Sequence, residues 1–203
     1  MGEQLSFFVA PSRVTRLAGL SALWAAGVPF GADALTFFRS SVDSVEARQA
    51  IISQSTGHRL PVAWYQTMAQ ASATGSRPEA YAGYLEAFVH DDFAAAASAL
   101  EVDALLVSGT WDSDGSRVQR DRWQNGMRRL ETVVLKECGH WAIHEAPLLT
   151  AAVLEGFLER GVGAPCERPA VAVRRSPGGI EIASSCRAPE ARRAPRNDII
   201  NTE

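Results

Sequence analysis

The stretch Val102-Asp-Ala-Leu-Leu-Val-Ser-Gly-Thr-Trp-Asp112 decides the fold, because it has the form of a buried strand that ends in a glycine and an acid. A short apolar run closed by glycine favours a central strand of a parallel sheet. A further strand is predicted at 131–136, and it leads into Cys138-Gly-His-Trp141. In open parallel sheets, catalytic groups gather where loops leave the carboxyl ends of the strands. We therefore expect Asp112 and His140 to lie together at one edge of the sheet.

Helical and strand patterns alternate around these two strands. A strand is predicted at 13–20, and helices are predicted near 33–54, 61–73, 78–99, 117–130 and 147–160. Strands and helices in this alternation imply a parallel sheet with helices on its faces. The predicted fold class is therefore α/β.

An acid and a histidine at such an edge can act as a pair. A carboxylate that accepts the Nδ1 proton holds the imidazole in one tautomer and stabilises the imidazolium that forms during proton transfer. Each residue has an alternative interpretation: Asp112 as a turn residue, and His140 as a hydrogen-bonded loop histidine. Asp114, two residues after Asp112, is a competing acid. The matching positions of the two residues after neighbouring strands favour the catalytic interpretation.

These residues resemble the α/β-hydrolase superfamily, in which a strand ending in Gly-x-x-Asp supplies the acid and a later Gly-His supplies the base. The resemblance runs in the family's order through 102–112, 135–147 and 154–158. It extends less specifically to Ala10-Pro-Ser-Arg-Val-Thr-Arg-Leu17, which is similar to the stretch after the family's nucleophile-bearing helix. The resemblance implies a partial α/β-hydrolase fold with a helical cap.

Four regions follow from this resemblance. They are the end of the post-nucleophile helix with the first strand (1–32), the cap (33–100), the C-terminal α/β part with acid and histidine (101–160) and a tail (161–203). The tail holds half of the ten prolines, and it contains seven arginines but no lysine. Because it shows no apolar periodicity, we expect it to be disordered. Its isolated isoleucines are candidates for docking locally or on a partner, and they are Ile180, Ile182, Ile199 and Ile200.

The family's nucleophile elbow, Gly-x-Ser-x-Gly, does not occur, since no Ser, Cys or Asp has Gly at both flanking second positions. Ser21 ends a predicted strand but lacks the second Gly, and Cys138 is better explained as a buried thiol. The resemblance therefore implies a truncated hydrolase, inactive alone. In the intact family, His140 would deprotonate the nucleophile and later protonate the leaving group, with Asp112 orienting it. The implied substrate is a small apolar ester, lactone or related carbonyl compound.

Aromatic side chains are candidates for lining an apolar substrate pocket, with burial in the core as an equal alternative. They are Trp24, Trp64, Tyr65, Tyr84, Phe88, Phe93, Trp111 and Trp141. Two further functions stay open. One is a non-catalytic ligand-binding or interaction module, and the other is a cofactor-independent oxygenase or lyase that uses the His-Asp pair.

Composition and charge argue against several partners. The chain has 203 residues, a net charge of -3 and no basic stripe, so nucleic acid is not expected. No apolar run is long enough to span a membrane. His140 and His144 have a metal-ligand spacing but precede the predicted helix, so neither a metal nor a cofactor is expected.

Three cysteines confined to the C-terminal third fit a reducing, cytoplasmic setting. A sheet edge left open by missing strands favours self-association.

Overall fold

The structure, a computed structural model, describes residues 14–22, 24, 31–112, 114–160 and 182–186, without the side chains of 114–117 and 182–186. Within this part, one sheet has the order β1-β2-β3-β4. Its strands are β1 (Arg16–Leu20), β2 (Asp103–Gly109), β3 (Leu130–Leu135) and β4 (Ile182–Cys186). β1, β2 and β3 are parallel, which confirms the predicted α/β class.

Strand β4 corrects the expectation that the whole tail is disordered. It pairs antiparallel with β3, in a register that runs from Leu135 opposite Ile182 to Glu131 opposite Cys186. An edge strand presents a row of unpaired N–H and C=O groups, which any extended segment can satisfy through its backbone alone. Ile182, named above as a docking candidate, begins this strand, but the alternation of apolar side chains that predicts a strand is absent, so the pairing itself was not predicted. Ile180, Ile199 and Ile200 lie outside the described residues, as do 1–13.

Helices flank the sheet and fill the connection between β1 and β2. They are α1 (Ala32–Ser40), α2 (Val45–Ser55), α3 (Val62–Gly75), α4 (Pro78–His90), α5 (Ala94–Ser98), α6 (Asp114–Gly126), α7 (Ala142–Glu145) and α8 (Pro147–Glu159). None of the described helices is long and apolar enough to cross a bilayer.

The predicted helix at 33–54 is two helices in the structure. Ser44 has extended backbone, and its hydroxyl accepts the Ala47 N–H, so α2 begins with a side-chain cap. The predicted helix at 78–99 likewise ends at His90, because Asp91 is extended. A side-chain cap at Ser44 and an extended residue at Asp91 therefore divide helical patterns that side-chain periodicity alone joins together.

Strand β2 lies at the centre of the core, buried on both faces. On one face, Ala104 and Leu106 pack with Trp123, near the end of α6. On the other, Leu105 and Val107 pack with the apolar side of α8. Burial on both faces is why β2 reads as an uninterrupted apolar run rather than an alternating one.

The helical block between β1 and β2 has a small core and a buried cation of its own. The core consists of Ile52, Tyr65 and Ala69. The Arg48 guanidinium donates to the carbonyls of Ser41 and Val42 and to the hydroxyls of Ser72 and Ser76, and it lies 4.0 Å from the Tyr81 ring centroid. Arg48 therefore joins the α1–α2 turn to α3 and α4.

Candidate active site

The acid and the histidine are brought together by the register of two parallel strands. β2 and β3 pair from Ala104 opposite Leu130 to Gly109 opposite Leu135, so both strands end at the same level. Asp112 follows β2 and His140 follows β3. Their atoms Oδ1 and Nδ1 are 2.9 Å apart, a hydrogen-bond distance. The expected proximity of the two residues is confirmed.

The two members of this pair differ in exposure. The Asp112 side chain is fully buried, whereas the His140 side chain is 37% exposed. Nδ1 of His140 faces the carboxylate, and Nε2 has no hydrogen-bond partner among the described residues. An imidazole held at Nδ1 by a buried carboxylate can accept and return a proton at Nε2. The arrangement therefore suits general acid–base chemistry.

A glycine lets the loops that carry the pair approach each other closely. A Cβ atom on Gly109 would lie 2.0 Å from the carbonyl oxygen of Cys138. The Trp111 N–H donates to that same oxygen at 2.8 Å, and the Glu137 N–H donates to Thr110 Oγ1 at 2.9 Å. The glycine of the Gly-x-x-Asp pattern is thus required for backbone packing beside the pair.

The histidine loop also contacts the helical block. The His140 N–H donates to the Ser55 carbonyl oxygen at 3.0 Å, and Trp141 Nε1 donates to Ser55 Oγ at 3.1 Å. Ser55 is the last residue of α2. The end of this helix therefore fixes both the backbone and one side chain of the loop.

Glu145 is a site residue that the sequence analysis missed. Its carboxylate, 3% exposed, accepts the N–H groups of Gly139 and Trp141 and lies 3.1 Å from Arg59 Nη2. The carboxylate reaches back to the N–H of Trp141, the residue preceding its own helix, but it lies four residues on instead of the three of a capping box, so that motif gave no signal in the sequence.

Cys138 is a buried, free thiol. Desolvation, reinforced by the negative charges of Glu145 and Asp112 and partly offset by Arg59, raises the pKa of this thiol to about 12. A thiol must ionise to act as a nucleophile. The geometry therefore agrees with the interpretation of Cys138 as a packing residue.

Three other candidates were named from the sequence, namely Ser21, Asp114 and His144. Ser21 follows β1 with φ of 46°, and its buried hydroxyl has no hydrogen-bond partner among the described residues. Asp114 begins α6, but its side chain is outside the described part. The His144 ring lies 6.3 Å from that of Trp141, and the described residues contain no group of three His, Cys, Asp or Glu that could hold a metal ion.

The eight aromatic candidates divide between core and surface. Trp24 is buried against Trp123 in an edge-to-face contact, and Tyr65 is buried with its hydroxyl accepting the Leu60 N–H, so both are core residues. Trp64 packs against the small helical core, Tyr84 is exposed, and Phe88 and Phe93 are half-buried.

Two of the eight flank the pair directly. Trp111 precedes the acid and is 49% exposed, and the Trp141 ring centroid lies 5.9 Å from that of His140.

Comparison with known proteins identifies the fold. Neither a protein-family model nor a curated protein sequence matches the chain. Solved structures do match. An esterase from Exiguobacterium antarcticum superposes with a TM-score of 0.65 at 14% identity, covering 78% of this chain and 63% of the esterase. An alpha/beta hydrolase enzyme from a Medee basin deep-sea metagenome library gives 0.55 at 13% identity, with 75% and 58% covered. The chain has the α/β-hydrolase fold.

A third similar structure is that of an N-acyl homoserine lactone degrading enzyme, with a TM-score of 0.61 at 18% identity and with 76% of this chain and 62% of the enzyme covered. The chain thus spans about six-tenths of the length of these α/β-hydrolase structures. The predicted partial fold is confirmed. At these identities the likeness concerns fold, and the activities named are those of the other proteins.

Proposed function

We propose that this chain carries the acid–base part of a hydrolase site for a small, largely apolar ester, lactone or related carbonyl compound. The observation that carries the proposal is the 2.9 Å contact between Nδ1 of the partly exposed His140 and the buried Asp112 carboxylate. The α/β-hydrolase fold, in which acid and base follow neighbouring strands in this order, supports it. A cytoplasmic setting belongs to the same proposal and fits the free thiol of Cys138.

In the proposed reaction, His140 Nε2 accepts the proton of an attacking hydroxyl and then donates it to the leaving group. Asp112 remains ionised, holds the ring in one tautomer and stabilises the imidazolium between the two transfers. The exposed face of Trp111 offers apolar contact for the acyl or alkyl part of the substrate.

The nucleophile is the missing component, because the 203 residues contain no Gly-x-Ser-x-Gly elbow. Loss of a triad nucleophile lowers kcat by about 10⁶ in a serine hydrolase. We therefore expect these 203 residues to show no turnover by themselves. In a complete site, the nucleophile and the oxyanion donors would come from residues outside this sequence.

The first test measures hydrolysis of p-nitrophenyl acetate and of a short acyl lactone by the 203-residue chain. The expected rate equals that of His140→Ala. Hydrolysis that disappears in His140→Ala would refute the expected inactivity and identify a nucleophile within the chain.

The second test reads the coding sequence upstream of Met1. The expected result is an in-frame strand followed by Gly-x-Ser-x-Gly, and an extended protein that hydrolyses short esters. Its activity should be lost in His140→Ala and fall by about 10⁴ in Asp112→Asn, as for loss of the orienting carboxylate in a serine protease. An unrelated residue at the nucleophile position, or activity that survives His140→Ala, would overturn the proposal.

The absence of an elbow favours one second candidate, a non-catalytic ligand-binding module. Saturable binding of the acyl lactone by the extended protein, without turnover, would support this module over the hydrolase.

A further inference from the structure

The loop that carries His140 is anchored at three successive backbone N–H groups. Glu145 accepts the N–H of Gly139 through Oε2 at 2.8 Å and that of Trp141 through Oε1 at 3.0 Å. The N–H of His140 itself donates to the Ser55 carbonyl at 3.0 Å. One carboxylate therefore brackets the histidine from both sides, while the helical block holds it in the middle.

The bracketing carboxylate is itself tied to the helical block between β1 and β2. Arg59 Nη2 lies 3.1 Å from Glu145 Oε2 and also donates to the Glu137 carbonyl at 2.9 Å. The Glu145 side chain is 3% exposed and that of Arg59 is 25% exposed. Hydrogen bonds to a charged acceptor that is shielded from water are stronger than those at a surface. This pair therefore differs in kind from the exposed pair of Arg39 and Glu86.

The packing leaves the loop little freedom. A Cβ atom on Gly139 would lie 2.6 Å from Thr56 Cα and 2.9 Å from Glu145 Oε1. The loop is thus enclosed between the end of α2 and the Glu145 carboxylate. A shift of either one would move the backbone from which the His140 ring extends.

We propose that Glu145 is the positioning residue of His140, and that Arg59 makes this positioning depend on the helical block. The role of His140 as a base rests on the proposed function, whereas the contacts that hold its loop do not. Loss of the Glu145 carboxylate would release two N–H groups beside the histidine and loosen the ring against Asp112. Displacement of the helical block by a ligand would act on the base through the same carboxylate.

The test uses nuclear magnetic resonance on the 203-residue chain and requires no turnover. The readouts are amide hydrogen exchange at 139–141 and the Nδ1 proton signal of His140, assigned by its absence in Asp112→Asn. In Glu145→Ala, exchange at Gly139 and Trp141 should accelerate by about ten- to a hundredfold, the range for a lost hydrogen bond to a charged acceptor. The Nδ1 signal should broaden or disappear, while β2 amides keep their protection.

Two graded variants separate positioning from general stability. Glu145→Gln keeps one acceptor oxygen and should restore protection at one of the two amides. Arg59→Gln leaves the carboxylate in place but removes its tie to the helical block, so exchange should rise at the Gly139 and Trp141 amides, by less than in Glu145→Ala. The matched control Glu86→Gln removes an exposed arginine partner and should leave all these signals unchanged.

Parent-like exchange at Gly139 and Trp141 in Glu145→Ala, together with an unchanged Nδ1 signal, would refute the positioning role. If Glu145→Ala fails to fold, Glu145→Gln and Arg59→Gln still test the positioning role, because parent-like signals in both variants would refute that role. Positioning that holds while the extended protein hydrolyses nothing would count against the proposed function alone.

Discussion

Replacing Gly109 by alanine tests the closest approach in the candidate site. The new Cβ would lie 2.0 Å from the Cys138 carbonyl oxygen, 2.4 Å from its carbonyl carbon and 2.4 Å from the Gly139 carbonyl oxygen. All three neighbours are backbone atoms, so no flexible side chain can turn away. The φ angle of Gly109 is not in the left-handed region, so backbone strain at the new alanine adds nothing to the effect of these contacts.

The size of the effect follows from these distances. The histidine loop must move by about 1 Å before the Cβ–oxygen distance reaches 3.0 Å. Backbone shifts of this kind cost about 1–3 kcal/mol in a packed interior. Moving Cys138 also breaks its hydrogen bond with the Trp111 N–H, which contributes about 1 kcal/mol. We therefore expect Gly109→Ala to lower the free energy of unfolding by about 2–4 kcal/mol.

The assay is urea unfolding followed by tryptophan fluorescence, with linear extrapolation to water. The matched control is Gly83→Ala in α4, where a Cβ would meet nothing within 4 Å. Alanine is favoured over glycine within a helix, so this control should be stabilised by about 0.5–1 kcal/mol. An unchanged free energy of unfolding for Gly109→Ala would show that the loops after β2 and β3 do not pack in this way.

Three further predictions concern stability and association. Because the pKa of the Cys138 thiol is raised to about 12, the unfolded chain ionises first, so stability should fall as the pH rises from about 8.5 towards 12. Urea unfolding of Cys138→Ala across this range should lack that component, and parallel pH curves would contradict the raised pKa. Arg48→Met should lower the free energy of unfolding by about 3 kcal/mol, because the buried hydrogen bonds donated by the charged guanidinium are lost. Amide hydrogen exchange should rise more in α2 and α3 than in β2, and an equal rise in all three would argue against a local role. A chain ending at Arg160 lacks β4 and should self-associate through the open β3 edge, as sedimentation velocity would show; a monomer at all concentrations would contradict this.

Much of the parallel sheet could be predicted from local patterns. β2 is buried on both faces, so its apolar run was visible without any partner. The pair of Asp112 and His140 followed from a general property of parallel sheets, whose strands end at a common edge. Side-chain patterns predicted helix ends less well where a capping residue sets them, as at Ser44, which separates two helices that periodicity had joined.

The sequence by itself determined the strand-end positions of Asp112 and His140, because those positions depend on residues next to each in the chain. Only the tertiary structure decided what braces them. Arg59 and Glu145 stand 86 positions apart and Ser55 and Trp141 are equally distant, so no local pattern connects them. The pairing of β4 with β3 and the burial of Trp24 and Tyr65 depend in the same way on distant surfaces. Contacts of this kind form when the chain closes on itself, and backbone hydrogen bonds leave no mark on side-chain periodicity.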